Sequence, residues 1–155
     1  MRLSAAATRS ILLTLFVGST WTIGYIVAPV LFSTLPDRAL AGAVAGRLFQ
    51  LEAWISLACS LVLLLLLRRP TSESNGHGAA DRNTHLLIGA IAVCTLIGYF
   101  GLQPFMAALR ASAAATGGVM PPDVRTQFGL LHGVASALYL VKSLLGLLLV
   151  VRLRG

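Results

Sequence analysis

Charge is what this chain has least of. Only 11% of its 155 residues are Asp, Glu, Lys or Arg, where a soluble domain carries about a quarter. So little charge leaves little material for a water-facing surface and excludes an ordinary soluble domain. Acidic groups are the scarcer kind, 5 Asp+Glu against 12 Lys+Arg, for a net charge of +7. In a soluble protein that excess would suggest nucleic acid. Here no basic face has interleaved aromatics, so no nucleic-acid partner is expected. The positive charges gather instead at the ends of apolar runs, where they set orientation and meet anionic lipid. The only cysteines are Cys59 and Cys94, both inside apolar segments, so no loop thiols exist to build an extracellular disulfide framework. C-x-x-C, H-E-x-x-H, P-loop and G-x-S-x-G motifs are all missing. A hydrolase or a nucleotide-driven pump is therefore unsupported, and no catalytic residue is assigned.

What the chain has is apolar length, with 57% hydrophobic residues and a mean hydropathy of +0.85. A spanning helix needs roughly 20 mostly apolar residues. Runs at about 11–35, 41–67, 84–109 and 123–151 meet that need and predict an all-α, integral membrane four-helix bundle in one domain. The first run follows Arg2 and Arg9 like a signal peptide, but it is too long for an h-region of about 7–15 residues. Pro29 should kink or loosen its far end. Residues 68–83 are polar and small and read as a flexible connecting loop. Residues 111–122 read as an external loop holding at most one helical turn.

Orientation follows from the Lys and Arg near the ends of the runs. Arg2, Arg9, Arg68, Arg69, Arg82, Arg152 and Arg154 flank one side, seven against the four of Arg38, Arg47, Arg110 and Arg125 on the other. The richer side, with both termini and the loop 68–83, is predicted to be cytoplasmic, in a bacterial inner (plasma) membrane.

Between spanning helices small residues allow close approach. Gly42 and Gly46 begin the second run, and Gly129 and Gly133 the fourth, each pair as G-x-x-x-G. The aliphatic stretches 61–67 and 144–151 suit lipid contact.

Ionisable groups at membrane depth are costly and are functional candidates by default. Arg47, Glu52, His132 and Lys142 stand out. Glu52 and His132 are expected roughly 10 Å below the outer ends of their helices, with Lys142 nearer the cytoplasmic side. Spacing puts His132, Ser136, Tyr139, Ser143 and Gly146 on one face. Trp21 and Tyr25 align on the first helix, Tyr99 and Gln103 on the third, and Glu52, Ser56 and Cys59 on the second. If these faces meet, Glu52 and His132 form a buried pair in the outer half, within a ligand site of Glu52, His132, Tyr99, Gln103, Arg47, Trp21, Tyr25 and Lys142. The alternative is that the polar groups only satisfy one another and hold helices in register, with Lys142 snorkelling to the interface and Arg47 interfacial. His77 and His85 are expected in solvent. His132, Cys59 and Cys94 are weak metal candidates, with Cu(I) as the soft ion in view. Bis-His haem ligation is excluded because His85 and His132 lie at opposite depths.

Three segments carry a resemblance: Trp21-x-x-Gly24-x-x-x-x-Pro29-x-Leu31-Phe32, then Gly42-x-x-x-Gly46-Arg47-Leu48-Phe49, then Phe128-Gly-Leu-Leu-His132-Gly. In this order they resemble the transmembrane-protein-205-like family, a domain of unknown function. The first is also similar to the CopD copper-resistance family and to HemJ-type oxidases, which imply copper or haem b. The HemJ-type pattern has a histidine and an arginine where this chain has Thr14 and Val30. Three functional classes follow: a binding, transport-accessory or structural membrane component with a polar intramembrane site; a CopD-type haem- or copper-linked redox protein with His132 as ligand; and a small transporter. A homo-oligomer or a membrane-protein partner fits the first and third, since four helices alone rarely enclose a pathway.

Overall fold

The computed structural model describes residues 4–67, 78–115 and 120–154. Arg2, Arg68, Arg69, His77 and the stretch 68–77 of the expected loop lie outside them. The described chain runs as α1 (Ala5–Trp21), a π segment (Thr22–Val27), α2 (Ala28–Thr34), α3 (Arg38–Leu67), α4 (Gly78–Thr95), a second π segment (Leu96–Leu102), α5 (Gln103–Ala115) and α6 (Pro122–Arg154). These make four helical spans long and apolar enough to cross a membrane, Ala6–Thr34, Arg38–Leu67, Arg82–Ala113 and Pro122–Leu153.

Local chemistry sets the ends. The Ser4 hydroxyl accepts from the Ala7 N–H and caps α1, and the Asp37 carboxylate accepts from the Ala39 and Leu40 N–H groups at 2.8 and 3.1 Å to start α3. Leu35 turns extended ahead of Pro36 and stops α2. The third span is longer than its apolar run. It starts at Gly78 rather than 84 and continues to Ala115 rather than 109. Ala79, Ala80 and the alanines 111, 113, 114 and 115 are strong helix formers, and continuing the helix keeps backbone groups paired at the edge of the hydrocarbon. Much of both expected loop ends is therefore helical.

Each π segment ends just before a proline, with Ala28 separating the first from Pro29 and Gln103 separating the second from Pro104. Proline has no N–H to donate, so a carbonyl one turn back loses its partner. A widened turn shifts the pairing by one residue. Both segments also carry Ile-Gly-Tyr, Ile23–Tyr25 and Ile97–Tyr99.

Every span buries one stripe at three- to four-residue steps: Leu13, Phe16 and Thr20; Glu52, Ser56, Cys59 and Leu63; Ile88, Ile91 and Thr95; Lys142, Gly146 and Leu149. Leu13, Phe16, Cys59, Leu63, Ile88, Ile91 and Leu149 form one apolar cluster. Gly146 admits the Phe16 ring, since a Cβ there would lie 2.9 Å from Phe16 Cε1. The stretches 61–67 and 144–151 are thus divided, with Leu63 and Leu149 in the core and Leu61, Leu65, Leu144 and Val151 outside. Outward-facing Leu130, Phe105 and Leu86 are 68%, 65% and 64% exposed. On a soluble protein such a surface would aggregate, and in a bilayer it is the lipid face.

Candidate functional site: a buried ion pair at mid-depth

Glu52 lies about 21 Å along α3, near its midpoint, deeper than the outer-half position expected for it. Its partner is Lys142, not His132. The Lys142 ammonium donates to Glu52 Oε1 at 2.8 Å and to Oε2 at 2.7 Å, with the side chains 4% and 2% exposed. Oε1 accepts two further bonds, from the Thr20 hydroxyl at 2.7 Å and the Ser56 hydroxyl at 2.6 Å. One carboxylate therefore ties the first, second and fourth spans together. An isolated charge at this depth would be strongly disfavoured; here it is neutralised and its lone pairs are engaged.

Tyr139 closes the pair from above. The Lys142 ammonium sits 4.6 Å from the centre of its ring, a cation–π arrangement. The Tyr139 hydroxyl donates to the Thr20 carbonyl at 2.7 Å. In an uninterrupted α-helix Gly24 N–H and Thr20 C=O would bond each other. The phenol donates to that same carbonyl, one turn before Gly24 of the first π segment. The ring lies so close to Gly24 that any Cβ there would collide with it. One residue on, the Ser143 hydroxyl donates to the Leu140 carbonyl at 2.8 Å, so the Tyr25 hydroxyl 2.7 Å away is the donor to Ser143 Oγ.

Of the residues predicted for the site, Glu52 and Lys142 meet directly, and Tyr25 joins through Ser143. Trp21 packs on Tyr25 with ring centres 5.2 Å apart, itself facing outward. The others lie elsewhere. His132 faces outward and stacks on Phe128, which corrects the expected Glu52–His132 pair. Arg47 is exposed and donates to Gln50 at 3.3 Å. Gln103 receives Arg110 at 3.5 Å, and Tyr99 packs edge-on against Phe100. Lys142 does not snorkel; it turns inward.

The His132 face fails for a reason of assembly. Tyr139, Ser143 and Gly146 share its nominal face and do point inward. α6 packs on α4, α1, α5 and the second π segment, whereas α2 makes its contacts with α3 and the first π segment. A Cβ on Gly129 or Gly133 would meet nothing within 4 Å. His132 itself stays exposed on the outer third of α6, beside Phe128, whose ring the Arg110 guanidinium of α5 covers at 5.8 Å. Thr20 and Tyr139 are the site residues missed. An OH-bearing residue one turn ahead of the Gly-x-x-x-x-Pro of the first span was the available signal for Thr20.

The weak metal candidates do not converge. Cys59 is in the apolar cluster, Cys94 is half-buried on α4 and His132 is outside the bundle. Among the described residues no three His, Cys, Asp or Glu side chains are grouped as ligands. The three candidates are thus not brought together as one ligand set.

Compared with known proteins, residues 11–115 match the family model described as a domain of unknown function, DUF4149. No curated protein matches the chain, and no solved structure does.

Proposed function

The chain belongs to the DUF4149 family, and from that premise we propose that it is a multi-pass protein of the bacterial inner membrane acting as a non-catalytic binding or transport-accessory component, with the Glu52–Lys142 pair as the clasp that sets its helix register. The observation that carries this reading is the saturation of Glu52. Three donors on Oε1 and one on Oε2 leave the carboxylate engaged on its own protein. A fully satisfied polar network specifies a single packing. The likeness of the three segments around Trp21–Phe32, Gly42–Phe49 and Phe128–Gly133 to the transmembrane-protein-205-like family fits the same reading.

The test separates a clasp from a solute site. Removing one partner of a buried pair costs about 3–5 kcal/mol, whereas replacing both by apolar residues of similar volume is close to neutral. Glu52→Gln and Lys142→Met singly should each lower unfolding stability by about that amount in detergent, and Glu52→Leu with Lys142→Met should restore it. Single variants that stay fully stable, yet lose binding or uptake of a solute by the reconstituted protein, would replace the clasp with a ligand site.

A further inference from the structure

A second polar feature lies away from the ion pair, where the start of α1 runs beside the end of α6. A groove of about 320 Å³ opens there, its polar wall made by Arg9, Ser10 and Thr14, its apolar wall by Leu13, Val17 and Leu153. The Arg9 Nε is buried and has no hydrogen-bond partner among the described residues. A buried donor left unpaired costs free energy and points to a missing acceptor. None of the described residues lining the groove is acidic, so among the described residues no carboxylate compensates the guanidinium charge there.

We propose that this groove holds an anionic phospholipid, its phosphate on Arg9 and one acyl chain along the apolar wall. Guanidinium is the side chain best matched to phosphate oxygens, and basic pockets between spanning helices bind lipid head groups. Length selects a lipid over free phosphate. The groove follows α1 from Ala6 to Gly18, about 18 Å at the helical rise, comparable with one leaflet of a hydrocarbon core about 30 Å thick. Arg9 and Ser10 lie toward the N-terminal end of the groove and Val17 and Gly18 deeper along α1, the order of a lipid's head group and chain. The uncompensated charge selects an anionic head group over a zwitterionic one.

The experiment uses the full chain in nanodiscs of mixed phosphatidylglycerol and phosphatidylcholine, with retained lipid counted by native mass spectrometry. Wild type should retain phosphatidylglycerol in preference. Arg9→Gln should lower that retention about tenfold, the loss of one charge-assisted hydrogen bond, with phosphatidylcholine unchanged. Gly18→Leu keeps every charge and enters open space, since a Cβ at Gly18 meets nothing within 4 Å. It should block the chain channel and lower retention as well, with the helical circular dichroism spectrum intact. Three results would overturn the proposal: equal retention of the two lipids by wild type, an equal loss in Arg152→Gln, which removes the same charge from the same end outside the groove, or displacement by millimolar inorganic phosphate, which would make the site one for a free anion.

Discussion

At the level of single residues, Tyr139 has three tasks at once. Its hydroxyl donates to the Thr20 carbonyl, its ring faces the Lys142 ammonium, and its edge meets Phe49 with ring centres 5.3 Å apart. The hydroxyl thus holds the first span beside the Glu52 pair. Tyr139→Phe keeps the ring but leaves the Thr20 carbonyl without the hydroxyl, so stability should fall by about 1 kcal/mol in reversible denaturation in mixed micelles. Gly24→Ala should cost more, about 2–3 kcal/mol, because its methyl and the ring claim the same space. A neutral Tyr139→Phe would mean that the turn recloses on its own backbone and that the phenol only fills space. None of this was legible in the sequence, where Tyr139 read as one member of a face shared with His132. A helical wheel orders residues around one axis but says nothing of which neighbour stands beside each turn.

At the level of the elements, two spans share one device, Ile-Gly-Tyr in a π segment shortly before a proline. Pro29 marked the place in the first span from sequence alone, because a missing N–H must disturb the turn before it. Pro104 carried the same signal in the third span, though the uninterrupted apolar run around it looked like plain helix. Number and length of the spans were legible because a bilayer imposes them through hydropathy. The interior face of the Leu-rich stretches was not, since a run of leucines looks alike on every side. What orients them is Gly146, which receives Phe16 and Val17 on α1. Gly146→Leu should therefore drive α1 off α6 and lower stability by about 1–3 kcal/mol or more. Phe16→Ala added to it should recover part of the loss, because it removes the colliding ring. Strict additivity of the two losses would show that Gly146 and Phe16 act independently and would contradict the knob-and-hole packing.

For the whole molecule, the bundle presents lipid with an apolar exterior and keeps the Glu52–Lys142 pair where water is scarcest, so its remaining charges lie toward the two ends. That makes orientation a matter of end charges. The ends of α1 and α6 lie side by side along the groove, so one answer serves both termini. Seven arginines at that end against four at the other predict that it faces the cytoplasm. A fluorescent protein fused after Gly155 should then mature and glow, alkaline phosphatase at the same point should be inactive, and phosphatase inserted between Ala115 and Met120 should be active. Because Arg38, Arg47, Arg110 and Arg125 oppose the majority, neutralising Arg9, Arg68, Arg69 and Arg82 together would leave three against four and should produce a mixed topology, with both reporters partly active. Active phosphatase at the C-terminus of the unmodified chain would invert the assignment and would place the Arg9 groove in the outer leaflet.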